Sequence, residues 1–306
     1  MVHLSVVIPV YNESSLIDEL VKRVKTNVNL MTEDYEIIIV DDGSQDNTWN
    51  SIEDEAKSEN RIKGIKFSRN FGHHYAITAG LHNSNGEWVV VMDGDLQDRP
   101  EVIPDLYKKA QDGFDVVFVS RQNRPEKMYY KVAQKFFYWI LRNLSGIDFD
   151  SSQANFSIIS KKVVEAFRSF PENSRFYAST IKWLGFNRSY ILADHGTRYS
   201  GKPSYTFRKR VKLAVDIILS FSDRPLKMAI GLGLIISSSS LIISLWVVYR
   251  KFRWGFEVLG WPSVVVTILF LGGIILIILG IIGIYLGRIF QEVKSRPLFI
   301  ISERAN

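Results

Sequence analysis

The chain has 306 residues, 46% of them hydrophobic, with no cysteine and 38 Lys and Arg against 32 Asp and Glu, a net charge of +6. The lack of cysteine excludes a disulfide framework, a thiolate metal site and a thiol nucleophile, and five scattered histidines argue against a structural zinc site. The positive balance leaves nucleic acid, anionic lipid and phosphorylated substrates as partner classes.

The first predicted element is a strand over 4–9, stopped by Pro9 and followed by a loop carrying Tyr11, Asn12 and Glu13. The opening MVHLSVVIPV has no basic region ahead of a long apolar core, so it reads as this strand and not as a signal peptide. Ser14 or Ser15 is expected to cap a helix starting near Leu16. A second strand, EIIIV over 36–40, ends in Asp41-Asp42-Gly43-Ser44, with Asp46 and Thr48 close behind. A third, over 62–67, leads through Ser68-Arg69-Asn70-Phe71-Gly72 into a helix over 75–82, whose amino end can offer backbone donors to an anion. His73 and His74 are adjacent and so do not face one site on a helix; neither is assigned a catalytic role.

A fourth strand, over 89–92, runs into Asp93-Gly94-Asp95-Leu96-Gln97-Asp98. Asp93 and Asp95, two apart across Gly94, can reach one divalent ion from a turn, and such hard oxygen ligands suit Mg²⁺ or Mn²⁺ on a substrate's phosphates. Asp98 is expected to cap a helix from about Pro100. A fifth strand over 114–120 sets Arg121 at its carboxyl end. The alternation of strands and helices predicts an α/β domain with a mostly parallel sheet and its ligand site at the strands' carboxyl ends. The absence of GxGxxG disfavours a dinucleotide fold.

Residues 121–127, RQNRPEK, form a polar, Pro-interrupted loop suited to a lid. An apolar stripe at helical spacing then predicts a helix near 128–144, packed on the sheet or lying at a membrane surface. A basic amphipathic helix is read over 205–222, where Arg208, Lys209, Arg210 and Lys212 suit anionic headgroups. The nearly uncharged runs 226–248 and 262–287 each exceed the ~20 residues that cross a bilayer, and their glycines permit close helix approach. Neither carries a midplane ionisable residue, which argues against an ion-coupled transporter. Basic flanks on the catalytic side predict both termini, including a tail over 288–306, in the cytoplasm. No nucleic-acid module is recognisable, so nucleic acid is not an expected partner.

Taken in order, Pro9-Val10-Tyr11-Asn12-Glu13, Asp41-Asp42-Gly43-Ser44, Ser68-Arg69-Asn70-Phe71-Gly72 and Asp93-Gly94-Asp95-Leu96-Gln97-Asp98 resemble the successive signatures of family 2 glycosyltransferases of the GT-A fold. Within that family the chain looks most like the polyprenyl-phosphate sugar transferases, over essentially its whole length, including two transmembrane helices. The resemblance implies a catalytic domain over 1–204 in which Pro9, Tyr11, Glu13, Asp41 and Asp42 surround the nucleotide's base and ribose. It places Asp93 near the nucleotide or sugar, with Asp95 and Gln97 holding Mg²⁺ or Mn²⁺ on the diphosphate. The loop from Arg198 to Tyr205 looks like the family's acceptor side. Arg121, Arg124, Lys127, Lys131, Arg198 and Ser200 are then the expected clamp on the acceptor phosphate, and Asp93, Asp95, Arg121 and Arg198 the expected catalytic set. One departure stands out: Asn155-Phe156-Ser157 occupies a place where many relatives carry an acidic residue and an arginine around the phenylalanine.

The implied reaction is inverting transfer of a sugar, glucose by preference, from a UDP-sugar to undecaprenyl or another polyprenyl phosphate. Its implied setting is the bacterial inner membrane, with a homo-oligomer, such as a tetramer, as the assembly. Two rival functions are a processive polysaccharide synthase and a non-enzymatic scaffold built on a transferase domain. Against the first, Arg253-Trp254 has Arg250 where that class has glutamine; against the second, Asp93, Asp95 and Gln97 are intact.

Overall fold

The computed structural model describes residues 2–121, 153–170, 176–193, 224–254 and 260–306, and elements are numbered over these. The chain divides into two compact units, one of residues 1–133, 150–204 and 296–306, the other of 134–149 and 205–295.

The first unit is built on an eight-stranded sheet in the order β7-β5-β6-β4-β1-β2-β3-β8. Its strands are β1 (Leu4–Val10), β2 (Tyr35–Asp41), β3 (Ile62–Phe67), β4 (Trp88–Val91), β5 (Val116–Arg121), β6 (Gln153–Ser160), β7 (Arg188–Ala193) and β8 (Ile301–Ala305). Neighbours β3, β2, β1 and β4 run parallel, β5 and β7 share a direction, and β6 and β8 run against the strands they pair with. Strands β1 and β2 are buried along their whole length, as expected of a sheet covered on both faces.

Alternate strand residues feed two cores. Leu4, Val6, Ile8, Ile37 and Ile39 meet α1 (Ile17–Val28), α2 (Thr48–Ser58) and α4 (Ile103–Gln111) on one face. Val7, Ile38, Val40, Ile65 and Phe67 meet α3 (His73–Asn83), α5 (Lys161–Arg168) and α6 (Tyr177–Trp183) on the other. Helix α1 shows why these segments dock: Ile17, Leu20, Val21, Val24 and Val28 recur at three- and four-residue spacing and are all buried. Each such side chain contributes about 1.5–3 kcal/mol of burial free energy.

Several boundaries differ from the sequence expectation. Strand β1 passes through Pro9 to Val10. Met92 N donates to Val7 O, so the odd-numbered residues of β1 face β4, and β4 ends at Val91. The missing N–H of Pro9 therefore falls where no partner strand remains. Neither Ser14 nor Ser15 caps α1; Leu16 holds the cap position without a side-chain bond, and Asp18 and Glu19 supply the first-turn charge. Asp98 does not cap the helix that follows it. Arg99 is at the cap of a 3-10 turn over Pro100–Val102, and Asp98 turns back to Asp93. The expected helices near 128–144 and over 205–222 lie outside the described residues.

The second unit contains α7 (Arg224–Trp254) and α8 (Trp261–Val293), which cover and extend the two predicted apolar runs. Within α8, Phe270–Phe290 has a mean hydropathy of 2.6 with no buried share, and among the described residues it is the one stretch long and apolar enough to cross a membrane. Leu226–Ile236 in α7 is a shorter apolar stretch. The segment read as a tail over 288–306 is not a free tail: its first part completes α8, and 301–305 add β8 antiparallel to β3.

Candidate active site

The carboxyl ends of β1 to β4 bring the acidic motifs together. After β4, residues 93 to 98 alternate in exposure: Asp93, Asp95 and Gln97 are partly accessible, whereas Gly94, Leu96 and Asp98 are buried. Three features enforce the alternation. Leu96 takes a left-handed backbone (φ 58°) while its side chain sits in the core, a conformation that costs a non-glycine residue about 1–2 kcal/mol. Asp98 Oδ2 accepts from Asp93 N at 3.2 Å, and Asp95 Oδ1 from Gln97 N at 3.1 Å. Gly94 lies so close to β1 that an added Cβ would be 2.6 Å from Val10 Cγ1 and 2.7 Å from Glu13 Oε2.

The loops after β1 and β2 are knitted by short polar side chains. Asn12 N donates to Ser44 Oγ, Asn12 Oδ1 accepts from Gln45 N, and Glu13 N donates to Thr48 Oγ1, each at 2.9 Å. Asp41 is fully buried; its Oδ1 accepts from Ser44 N at 2.9 Å, and its Oδ2 has no hydrogen-bond partner. Burial pushes the Asp41 carboxyl above its ordinary value, against the Ser44 bonds and the charge of Lys66. Asp42 does a different job: it accepts from Phe71 N at 2.8 Å and from Gly72 N at 2.9 Å, pinning the loop before α3. Burial raises the Asp42 carboxyl as well, opposed by those two amides and by His73.

His73, the first residue of α3, joins these pieces. Its Nε2 is 3.1 Å from Asp93 Oδ1 and 3.3 Å from the side-chain amide of Asn155. With the imidazole protonated, its contact with Asp93 is an ion pair. Burial disfavours the imidazolium, but Asp93, then Asp42 and Glu13, outweigh it and raise the His73 pKa. The register of β6 explains Asn155: Ser157 pairs with Val91, so two residues further Asn155 lies across from Asp93. Ser157, two residues along β6 on the same face, bonds Tyr177 Oη at 2.8 Å.

Glycosyl transferase family 2 matches residues 5–168, more than half of the chain, the stretch that carries the acidic turns, His73 and Asn155. This chain belongs to family 2 of the glycosyltransferases. An uncharacterized glycosyltransferase of Synechocystis is 38% identical over 99% of this chain and 95% of its own. The SfII prophage-derived bactoprenol glucosyl transferase of Shigella flexneri is 36% identical over 99% of both chains. Among solved structures, glucosyl-3-phosphoglycerate synthase from Mycobacterium tuberculosis, in complex with Mn²⁺, uridine diphosphate and phosphoglyceric acid, shares the fold with a TM-score of 0.52. That match covers 71% of this chain and 76% of the other at 18% identity.

In this glycosyltransferase, the β1, β2 and β4 motifs read from sequence lie at the carboxyl ends of neighbouring strands of one GT-A sheet. Pro9 is buried, Tyr11 is exposed, and Glu13 flanks Gly94. The backbone of Arg121 ends β5. Arg124, Lys127, Lys131, Arg198 and Ser200 lie outside the described residues. As adjacency along a helix predicts, His73 and His74 do not face one site: the loop before α3 brings His73 to Asp93, whereas His74 packs on Phe176.

His74 has the opposite environment from His73. Its Nδ1 is sealed from solvent without a hydrogen-bond partner, and its ring meets Phe176 edge-on at 5.4 Å. Burial, with repulsion from His73, lowers its pKa to about 3. Below the unfolded value near 6.5, the unfolded chain binds a proton that native His74 refuses, so this group's contribution is full above that pH and declines as pH falls. His73 works the other way: its contribution is complete below the unfolded value and is lost as pH rises through its raised folded value. Unfolding measured at pH 7 and pH 5 should show His74→Gln losing less stability on acidification than the wild type. The difference has an upper limit of about 1.4 kcal/mol per pH unit, reduced by solvent at the ring's edge; equal slopes would refute it.

Proposed function

We propose that this glycosyltransferase moves a sugar, with glucose favoured, from a UDP-sugar to polyprenyl phosphate at a bacterial cytoplasmic membrane. The observation that carries the reading is the presentation of Asp93, Asp95 and Gln97 on one accessible face beside the Asp41-Asp42 turn. Full-length similarity to a bactoprenol glucosyl transferase supports the acceptor class.

On the donor side, the buried, unpartnered Asp41 Oδ2 is an acceptor suited to a base N–H or a ribose hydroxyl. Pro9, Tyr11, Glu13 and Asp42 complete that wall, with Asp93 towards the sugar. Asp95 and Gln97 would hold Mg²⁺ or Mn²⁺. Among the described residues no three His, Cys, Asp or Glu side chains gather to hold an ion, which fits a cation taking one or two protein oxygens and completing its shell with phosphate and water. Bound there, the ion supplies charge neutralisation at the departing diphosphate.

An acceptor phosphate oxygen attacks the anomeric carbon as the bond to the diphosphate breaks, inverting configuration. That oxygen is already ionised near neutral pH, so no strong general base is required, and Asn155 in place of a carboxylate is compatible with turnover. Arg121, Arg124, Lys127, Lys131, Arg198 and Ser200 are assigned to the acceptor phosphate, with Arg121 and Arg198 joining Asp93 and Asp95 in the catalytic set. Arginine's planar fork suits that contact.

Helices α7 and α8 are proposed as two membrane spans, with both flanks cytoplasmic. Residue 301 returns to the sheet that the chain left before α7, and an even number of crossings satisfies that connection. The glycines of both helices, with nothing within 4 Å of an added Cβ, suit a homo-oligomer, a dimer or a tetramer. The deciding assay incubates the full-length protein with undecaprenyl phosphate and a panel of labelled nucleotide sugars. Metal-dependent label in a single-sugar lipid phosphate is expected. A lengthening polymer favours a synthase, and no transfer from any donor refutes the reading.

A further inference from the structure

The segment after α8 reaches the donor side of the sheet as well as its edge. The Phe299 ring stacks on Phe67, the last residue of β3, with centroids 5.0 Å apart and planes 13° from parallel. Phe67 is buried and meets Phe71 edge-on at 5.6 Å. Next in sequence, Ile300 O accepts from Ser68 N at 3.0 Å, and Ser302 Oγ donates to Lys66 O at 3.2 Å. Glu303 then anchors the strand through Lys66 Nζ at 2.6 Å and Trp49 Nε1 at 3.0 Å. The same loop is gripped from the acidic turn, where Gly43 abuts the backbone of Arg69 and Asn70 and Asp42 takes the amides of Phe71 and Gly72. Thus the 68–72 loop has two supports, and one comes from beyond α8.

We infer that Phe299 and Ile300 are positioning residues for the donor. They fix the 68–72 loop, and through it Asp42 and His73, in the arrangement that receives a nucleoside diphosphate. Neither residue touches the nucleotide; the effect passes through the Phe67–Phe71 ring pair and the Ser68 amide. The inference rests on the UDP-sugar reading above. A ring that merely filled the core would, on removal, loosen the whole sheet without favouring one substrate.

The test uses the full-length protein in detergent, with UDP and Mn²⁺ as the calorimetric probe. Phe299→Ala should weaken UDP binding about fivefold, the scale of one lost aromatic stack. Phe299→Leu should fall between, and Phe299→Tyr should restore wild-type affinity. In transfer assays the donor KM should rise while the polyprenyl phosphate KM and kcat hold. Hydrogen exchange at Phe71 and Gly72 should accelerate in Phe299→Ala, with β1 amides still protected. Unchanged UDP affinity and loop exchange, or equal loss of protection in β1 and the loop, would overturn the inference. Failure of the wild type to bind UDP would instead defeat the donor reading, and the exchange comparison would still decide whether Phe299 fixes the loop.

Discussion

Asp95→Asn should lower sugar transfer at least about tenfold at limiting Mg²⁺ or Mn²⁺, because one anionic oxygen is lost where charge must be offset. The fold should survive the change. Asp95 is partly accessible, and the bond it accepts from Gln97 N at 3.1 Å can be kept by an amide oxygen. Rates measured across a metal titration, together with the melting temperature, separate the two effects. A shifted metal dependence with an unshifted melting temperature is expected. Wild-type rates at every metal concentration would remove Asp95 from the proposed metal site.

Gly43→Ala should be the most damaging small substitution in the nucleotide half of the site. The residue has φ +71°, and a Cβ there would lie 2.4 Å from Arg69 C and 2.7 Å from Asn70 N. Both obstacles are backbone, so no side-chain rotation relieves them; either the Asp41–Ser44 turn or the 68–72 loop must move. Left-handed strain with this overlap should cost about 2–4 kcal/mol and weaken UDP binding at least tenfold. Gly113→Ala is the matched control: φ is +94°, with nothing within 4 Å of the added carbon. It should show the strain without the overlap and leave UDP binding unchanged. Equal behaviour of the two variants would show that the close approach at Gly43 has no consequence for the donor.

Much of this was legible from local pattern. Strands β1, β2 and β4 are largely apolar runs, and the acidic turns after β2 and β4 read directly as a candidate site. Strand β6 was harder because QANFSIIS mixes polar and apolar residues; Asn155 and Ser157 are defined by register with β4, which no local window contains. Strand β7 exposes alternate residues at the opposite edge of the sheet, and its pattern is correspondingly weak. Strand β8 was invisible for a related reason. ISERA is largely polar and exposed, and it becomes a strand only through pairing with a segment more than two hundred residues earlier. Asp98 illustrates the limit of capping rules: an acid before Pro100 suggests a cap, yet the nearer amide of Asp93 captures it.

The late arrival of β8 bears on how the protein is made. Translation delivers β1 to β7 first, then both long apolar helices, and only afterwards the residues that cover the outer edge of β3. Throughout that interval β3 presents unpaired backbone groups of the kind that recruit foreign strands. The nascent catalytic unit thus matures only after its hydrophobic helices have left the ribosome. A fragment cut before α7 to obtain a soluble enzyme would keep β3 permanently open and Phe67 without its stacking partner, so aggregation is built into that shortcut.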